Sequence, residues 1–252
     1  MVYEKLWEQY DEFIPYDLQM SFDIRLCNVV NMLDYFFQNL IVREPNIKEV
    51  KFYLAGSCIK KDTFRDIDMI FPSKEKMLEL NTCLDQSFFE YENNSLTYSF
   101  SDEIFQLVFR PKFEEKSLEF TINGFDFDST KIGFECKLNF KTKEVEVVKA
   151  DIREEFIHYI QTKQNNLSKI SVNPFVSLQR AIHFLKRGDD VPYSVFLDIC
   201  SSIADIKIKE NEDSKQHFAR LQGNPKKLED IKDAITDYIE DRKDDLEEDE
   251  KH

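Results

Sequence analysis

Hydrophobic residues along the chain follow a helical spacing at first and an alternating spacing afterwards. Between residues 21 and 42 they recur every three or four positions, which predicts a long amphipathic helix with Ser21 as its cap. Over residues 50–57 the period falls to two, which predicts a strand that ends in a Gly-Ser turn. Residues 67–71 predict a second strand of the same kind.

A helix near residues 74–84, capped by Ser73, is expected to follow. A short helical piece is expected near residues 113–121, and turns are expected at Asn93-Asn94 and at Lys141-Thr142. Alternating segments around these positions predict further strands over residues 88–92, 95–100, 103–110, 125–140 and 143–148. A mixed sheet with flanking helices predicts an α+β, or layered α/β, fold for residues 1–150.

From Asp151 onward the spacing is helical throughout. Helices are predicted over residues 151–164, 173–187 and about 192–208, the second with Asn173 as its cap and Pro174 at its first position. The sequence therefore predicts that a smaller, all-helical domain follows the mixed sheet.

A further apolar face precedes an acidic end, and it carries Leu228, Ile231 and Ile235. We therefore divide the chain into residues 1–150, a helical domain of residues 151–236 and an acidic tail of residues 237–252. The tail is expected to be a solvated, fraying helix end. The alternative is an element that engages a basic partner or covers a cationic groove.

Charge narrows the classes of partner. The 252 residues include 49 acidic and 34 basic side chains, for a net charge of −15. Such a chain is not expected to bind bulk DNA or an anionic membrane surface, because both carry negative charge. No segment has the length of apolar sequence that a membrane span needs, and with five glycines there is neither a P-loop nor a dinucleotide-binding fingerprint.

The cysteines indicate a compartment. They are widely spaced and lack a CxxC pair, which argues against a disulfide framework or a zinc site. We expect them to be buried thiols in a reducing compartment, and the protein to be cytoplasmic; they are Cys27, Cys58, Cys83, Cys136 and Cys200.

Residues 52–71 carry the candidate chemistry. Asp66 and Asp68 are two positions apart, so in a strand their carboxylates leave the same face, where a divalent cation such as Mg²⁺ would offset their repulsion. Gly56 allows a phosphate to approach the backbone closely, and Ser57 offers it hydrogen bonds. Local positive charge comes from Lys60, Lys61 and Arg65. Taken alone, the Asp-Ile-Asp pattern is also compatible with an edge strand that has a wet polar face.

A strand, a Gly-Ser turn and then Asp-x-Asp in a second strand resemble the signature of the DNA polymerase beta-like nucleotidyltransferase superfamily. This superfamily includes poly(A) polymerases, CCA-adding enzymes and antibiotic nucleotidyltransferases. The resemblance implies that Gly56 and Ser57 bind a nucleoside triphosphate and that Asp66 and Asp68 hold two Mg²⁺ ions. Ala55 stands where relatives commonly have a further glycine.

The same resemblance calls for a third acid on a later strand. Asp126 is the first choice and Asp128 the second, within the alternating sequence Phe-Asp-Phe-Asp; the alternative is a solvated strand face. Residues 173–192 are similar to a helical segment that follows the catalytic domain in poly(A) polymerase and CCA-adding relatives. This similarity makes Arg180 and Lys186 candidates to meet phosphate or base, and the alternative there is an ordinary packed helix.

The resemblance implies Mg²⁺-dependent transfer of a nucleotide monophosphate from a nucleoside triphosphate to a hydroxyl acceptor, by two-metal phosphoryl transfer. The acceptor remains open among an RNA 3′ end, a small molecule and a protein. The alternative function is a catalytically inactive binding or regulatory module of the same fold, with the acidic tail as its partner-binding element.

Overall fold

A computed structural model of the protein describes residues 1–44, 46–60, 64–92, 95–171 and 174–204. Seven strands form a single mixed sheet: β1 (Glu49–Ala55), β2 (Ile67–Phe71), β3 (Phe89–Glu92), β4 (Ser95–Phe100), β5 (Glu103–Phe109), β6 (Ile132–Asn139) and β7 (Glu144–Ile152). Their order is β3-β4-β5-β2-β1-β6-β7, in which only β2 and β5 pair in parallel. The predicted α+β class with a mixed sheet is confirmed.

Along the chain, helices precede the first strand, lie between strands and follow the last strand. They are α1 (Glu4–Trp7), α2 (Tyr16–Leu40), α3 (Ser57–Lys60), α4 (Lys74–Cys83), α5 (Leu118–Asn123), α6 (Glu154–Thr162), α7 (Pro174–Lys186) and α8 (Tyr193–Ala204). None of the helices in the described ranges is both long and apolar enough to cross a membrane.

The long N-terminal helix was predicted with the wrong start. α2 begins at Tyr16 and not at Ser21, because the extended residue Pro15 precedes it and the Pro15 carbonyl accepts the backbone N–H groups of Leu18 and Gln19. Ser21 therefore lies inside the helix. In contrast, the predicted cap of α4 is confirmed, since the Ser73 side chain accepts a hydrogen bond from the Lys76 N–H.

Different helices pack on the two faces of the sheet. On one face, α2 contributes Phe36, which stacks on Phe105 of β5 with ring centroids 4.2 Å apart. On the other face, α5 contributes Ile122 to a smaller cluster with Tyr53 and Ile70. A Cβ at Gly133 of β6 would lie 2.5 Å from Ile122 Cδ1, so the absence of a side chain there lets α5 pack closely.

The prediction of a strand from residue 125 is wrong. Phe127 forms only an isolated bridge with Leu167, and residues 128–130 form a 3₁₀ turn. The reason is local pairing with a later loop, because the Asp128 N–H donates to the Asn166 carbonyl and the Asp126 carbonyl accepts the Ser168 N–H. These backbone groups are thus satisfied outside the sheet, and β6 begins at Ile132.

The chain divides into two compact units, Met1–Lys169 and a second that begins at Ile170. α6 belongs to the first unit, although its sequence groups it with the later helices. The second unit contains α7 and α8, which pack against each other. Several predictions fall outside the described residues, namely the Asn93-Asn94 turn, the Asn173 cap, the apolar face around Ile231 and the acidic tail.

The cysteines are all free thiols. The prediction that they are buried holds for Cys58, Cys83 and Cys136. It is wrong for Cys200, which is exposed on α8, and for Cys27, which is only half-buried on α2.

Candidate functional site

Gly56 and Asp68 lie side by side where β1 ends and β2 begins. The two strands are antiparallel, and Ala55 pairs directly with Asp68. Gly56 follows at φ +100°, a left-handed conformation that favours glycine. A Cβ on Gly56 would lie 3.8 Å from Asp68 Oδ2, so the carboxylate faces a turn that has no side chain of its own. The backbone at this turn is therefore open to a ligand held by Asp68.

Asp66 precedes β2 and is almost buried, with 9% of its surface exposed. Its Oδ2 accepts two hydrogen bonds from Arg65, at 2.9 Å from Nε and 2.7 Å from Nη2. The Arg65 side chain itself is largely exposed. A cationic group thus already lies on one carboxylate of the predicted pair.

Cys58 is the second residue of α3. Its thiol is buried, and burial raises its pKa to about 12, with the negative charges of Asp68 and Asp66 adding to the effect. The fold brings together the Gly56 turn, the first residues of α3 and the Asp66–Asp68 pair, and the backbone of Ser57 belongs to this group.

The two candidates for a third acid have different surroundings. Both Asp128 oxygens are engaged, since Oδ1 accepts from Ser168 Oγ at 2.7 Å and Oδ2 accepts from Asn166 Nδ2 at 3.0 Å. Asp126 is buried, and its backbone carbonyl accepts a hydrogen bond from the Ser168 N–H of the same loop. Asp128 therefore has the contacts of a residue that fixes a loop.

Topology relates this segment to the Gly56 turn. Ala55 pairs with Asp68 on one side and with Gly133 of β6 on the other. The segment that contains Asp126 runs into the same end of β6, so it enters the sheet at the edge where β1 ends. Asp126 lies six residues before β6 along the chain and is not part of a strand.

The predicted basic residues are dispersed. Lys60 Nζ lies 5.6 Å from the centroid of the Tyr159 ring on α6, a cation–π distance. Lys61 lies outside the described residues. Arg180 and Lys186 are exposed on α7 of the second unit. Arg65, in contrast, is hydrogen-bonded to a carboxylate of the pair.

Sequence reasoning missed Lys131. Its side chain is almost fully buried, and Nζ donates to the Asn123 carbonyl at 3.0 Å. Burial lowers its pKa, while the negative charges of Glu155, Asp128 and Asp126 oppose that shift. A buried cation beside Asp126 and Asp128 could not be recognised from spacing, because α6 and the 163–169 loop come from much later in the chain.

The described side chains include no group of three or more His, Cys, Asp or Glu residues arranged to hold a metal ion. No protein-family model, no curated protein and no solved structure matches the chain. The functional assignment therefore depends on the chemistry of the residues around the Gly56 turn.

Proposed function

We propose that the protein is a Mg²⁺-dependent nucleotidyltransferase, which moves a nucleotide monophosphate from a nucleoside triphosphate to a hydroxyl acceptor. The observation that carries the proposal is the contact between the Gly56 turn and the Asp68 carboxylate, with Asp66 two residues away. A turn without a side chain beside paired carboxylates suits a ligand that presents phosphate oxygens and a hard cation together.

The donor set fits Mg²⁺. This ion is usually bound by one or two carboxylates together with substrate phosphates and water, and it prefers oxygen ligands. Asp66 and Asp68 supply the two carboxylates, and the missing Cβ of Gly56 leaves room next to Asp68 Oδ2. Bound Mg²⁺ supplies charge neutralisation of the triphosphate and a lowered pKa of the attacking hydroxyl.

The chain's own residues have separable tasks in this reaction. The backbone at Gly56 and Ser57 receives the triphosphate, and Arg65 and Lys60 add positive charge near it. We assign the third carboxylate to Asp126, as the acceptor of the proton that the attacking hydroxyl loses. Asp128 is the second choice, and its two oxygens accept hydrogen bonds from Asn166 and Ser168.

A label-transfer assay tests the proposal. Each of the four α-labelled nucleoside triphosphates is incubated with Mg²⁺, the protein and one of three acceptors: total RNA, small alcohols or the protein itself. We expect label on one acceptor class with the wild type, and none with Asp66→Asn/Asp68→Asn. Absence of label with every nucleotide and metal, from a folded wild-type protein, would reject the proposal.

The acceptor class is decided by the same assay. A net charge of −15 opposes diffuse attraction to RNA, so an RNA acceptor would need a local basic surface. A small molecule or a protein hydroxyl places no such demand on the rest of the surface. We propose the cytoplasm as the compartment, since five free thiols suit a reducing environment.

A second candidate is a catalytically inactive module of the same fold that binds a partner. The Arg65–Asp66 pair favours this candidate, because the guanidinium of the chain's own Arg65 already supplies the positive charge that a metal ion would otherwise bring. This candidate predicts no Mg²⁺-dependent nucleotide binding. Equilibrium binding of a labelled nucleotide with and without Mg²⁺ separates the two functions without requiring that the acceptor be known.

A further inference from the structure

The outward-facing side of α2 carries almost no charge. The structure describes every residue of this helix, and four of its 25 residues are charged, whereas charged residues make up 33% of the whole chain. Of the exposed positions on α2, Asp17 alone is charged. The α2 outer face consists of the other exposed positions, which are Tyr16, Met20, Ile24, Asn28, Asn31, Tyr35, Gln38 and Asn39.

The remaining charged side chains of α2 have partners within the protein. Asp23 is buried, and it accepts hydrogen bonds from the Trp7 indole and from two backbone N–H groups near the N-terminus. Asp34 accepts the Val145 N–H of β7 at 2.7 Å. The Arg25 guanidinium lies over the Phe22 ring. The neutrality of the α2 outer face is thus a property of how the helix packs.

Large apolar groups are exposed along the same face. Tyr16, Ile24 and Tyr35 are each more than half exposed, at 61%, 55% and 54%. Interfaces between proteins are enriched in tyrosine and methionine and depleted of charged residues at their centre. Exposed apolar side chains on a face that is depleted of charge have this composition.

We propose that the α2 outer face packs against the same face of a second copy of this chain. Each copy carries a net charge of −15, so two copies repel each other over most of their surfaces and can approach most easily through a neutral one. A basic protein or a nucleic acid would gain little here, because Asp17 is the single exposed charge on the helix.

The polar members of the face also suit a copy of themselves. They are the amides Asn28, Asn31, Gln38 and Asn39, and an amide side chain carries both a donor and an acceptor. Across a two-fold axis each residue meets the same surface patch on the other copy, and amides satisfy this requirement whereas like charges do not. The chemistry of the face is therefore self-complementary.

The spacing of the face defines an antiparallel arrangement. Positions 24, 28, 31, 35 and 38 alternate in steps of four and three, which is the pattern of a helix–helix seam. With the two-fold axis near Asn28, Ile24 of one copy faces Asn31 of the other, and Met20 faces Tyr35. Isoleucine and methionine then pack on neutral partners, and Gln38 of one copy faces Asp17 of the other near each end of the seam.

Sedimentation velocity of the full chain tests the dimer. We expect a concentration-dependent dimer at or below about 100 μM, strengthened by added salt because screening reduces the repulsion between two acidic copies. Ile24→Glu/Tyr35→Glu should weaken association at least about tenfold, since it places carboxylates in the seam. Leu78→Glu changes an exposed apolar residue on α4 and should leave the dimer intact.

A cross-linking experiment tests the axis. In a Cys27→Ser/Cys200→Ser background, Asn28→Cys should give a covalent dimer on mild oxidation, and Gln38→Cys should not, because antiparallel helices separate the two copies of residue 38. Cross-linking of Gln38→Cys alone would overturn the arrangement. A wild-type chain that stays monomeric at every concentration and salt would overturn the proposal and leave the face to a different protein.

Discussion

Arg65 donates two hydrogen bonds to a single oxygen of its neighbour Asp66, from Nε at 2.9 Å and from Nη2 at 2.7 Å. The contact neutralises one member of a carboxylate pair that would otherwise repel the other, Asp68. A cation bound at the pair must share the Asp66 oxygen with the guanidinium or displace it. Arg65 is therefore expected to oppose metal binding when no nucleotide is present.

Replacing this arginine should strengthen metal binding. For Arg65→Gln we expect the affinity for Mn²⁺, measured by electron paramagnetic resonance without nucleotide, to rise about twofold to fivefold, which is modest because the pair is partly exposed and screened. The affinity for a nucleotide with Mg²⁺ should fall, because a positive charge near the phosphates is lost.

Arg43→Gln is the matched control, since it removes the same charge from an exposed position near the end of α2. It should change neither affinity. Unchanged or weaker Mn²⁺ binding by Arg65→Gln, alongside measurable binding by the wild type, would show that the guanidinium does not compete with the metal.

Asp68→Asn should abolish nucleotide transfer and leave the fold intact. The substitution keeps the size of the side chain, and it removes one of two neighbouring negative charges, so the melting temperature should be unchanged or higher. Activity should fall by at least about a thousandfold, because a charged ligand for the cation is lost. A large drop in melting temperature would instead indicate that Asp68 has a structural role.

Asp128→Ala, in contrast to Asp68→Asn, should destabilise the fold. It leaves Asn166 Nδ2 and Ser168 Oγ without their carboxylate partner, which should cost about 1–3 kcal/mol in the free energy of unfolding. Chemical denaturation measures this loss. Asp128→Asn keeps one acceptor oxygen and should recover part of the stability, and an alanine variant as stable as the wild type would refute the loop-fixing role.

The sequence predicts this fold best where contacts are local. Strand β2 matches its predicted range, and the Ser73 cap is confirmed, because alternation and capping depend on neighbouring residues. The strand predicted from residue 125 fails for the converse reason. Its alternating pattern is real, but the partners of Asp126 and Asp128 are residues 166 and 168, about which periodicity says nothing.

In the candidate site too, local features could be predicted from the sequence and contacts between distant residues could not. The proximity of Gly56 to Asp68 follows from the pairing of two strands whose existence the alternating pattern predicts. The Arg65 contact depends on a side-chain rotamer, and the buried Lys131 depends on α6, which packs beside the 3₁₀ turn at residues 128–130. Neither leaves a pattern in the sequence.

Gly56→Ala tests whether the turn must lack a side chain. At φ +100° an L residue is strained, so we expect a loss of about 1–2 kcal/mol in unfolding free energy. The added methyl group would also lie 3.8 Å from Asp68 Oδ2 and should weaken the binding of nucleotide with Mg²⁺.

Gly188→Ala provides the matched control for that variant. Gly188 also has a positive φ, of +82°, but no atom lies within 4 Å of the position a Cβ would take. It should lose a similar amount of stability and keep wild-type nucleotide binding. Equal loss of binding in both variants would assign the effect to general destabilisation and not to the turn.

Asp34 on α2 should make stability depend on pH. Burial raises the pKa of its carboxyl group, Glu144 adds to the shift, and the hydrogen bond from Val145 N–H opposes it. Because the pKa is higher in the folded state, the protonated carboxyl favours folding at low pH, and this contribution is lost as the pH rises through the folded value. Asp34→Asn, which can still accept the Val145 N–H, should therefore raise the melting temperature relative to the wild type at pH 7 more than at pH 4.

Thermal unfolding at both pH values measures the difference, with Glu12→Gln as the control for removal of an exposed charge. A stabilisation that is equal at the two pH values, or greater at pH 4, would contradict the raised pKa.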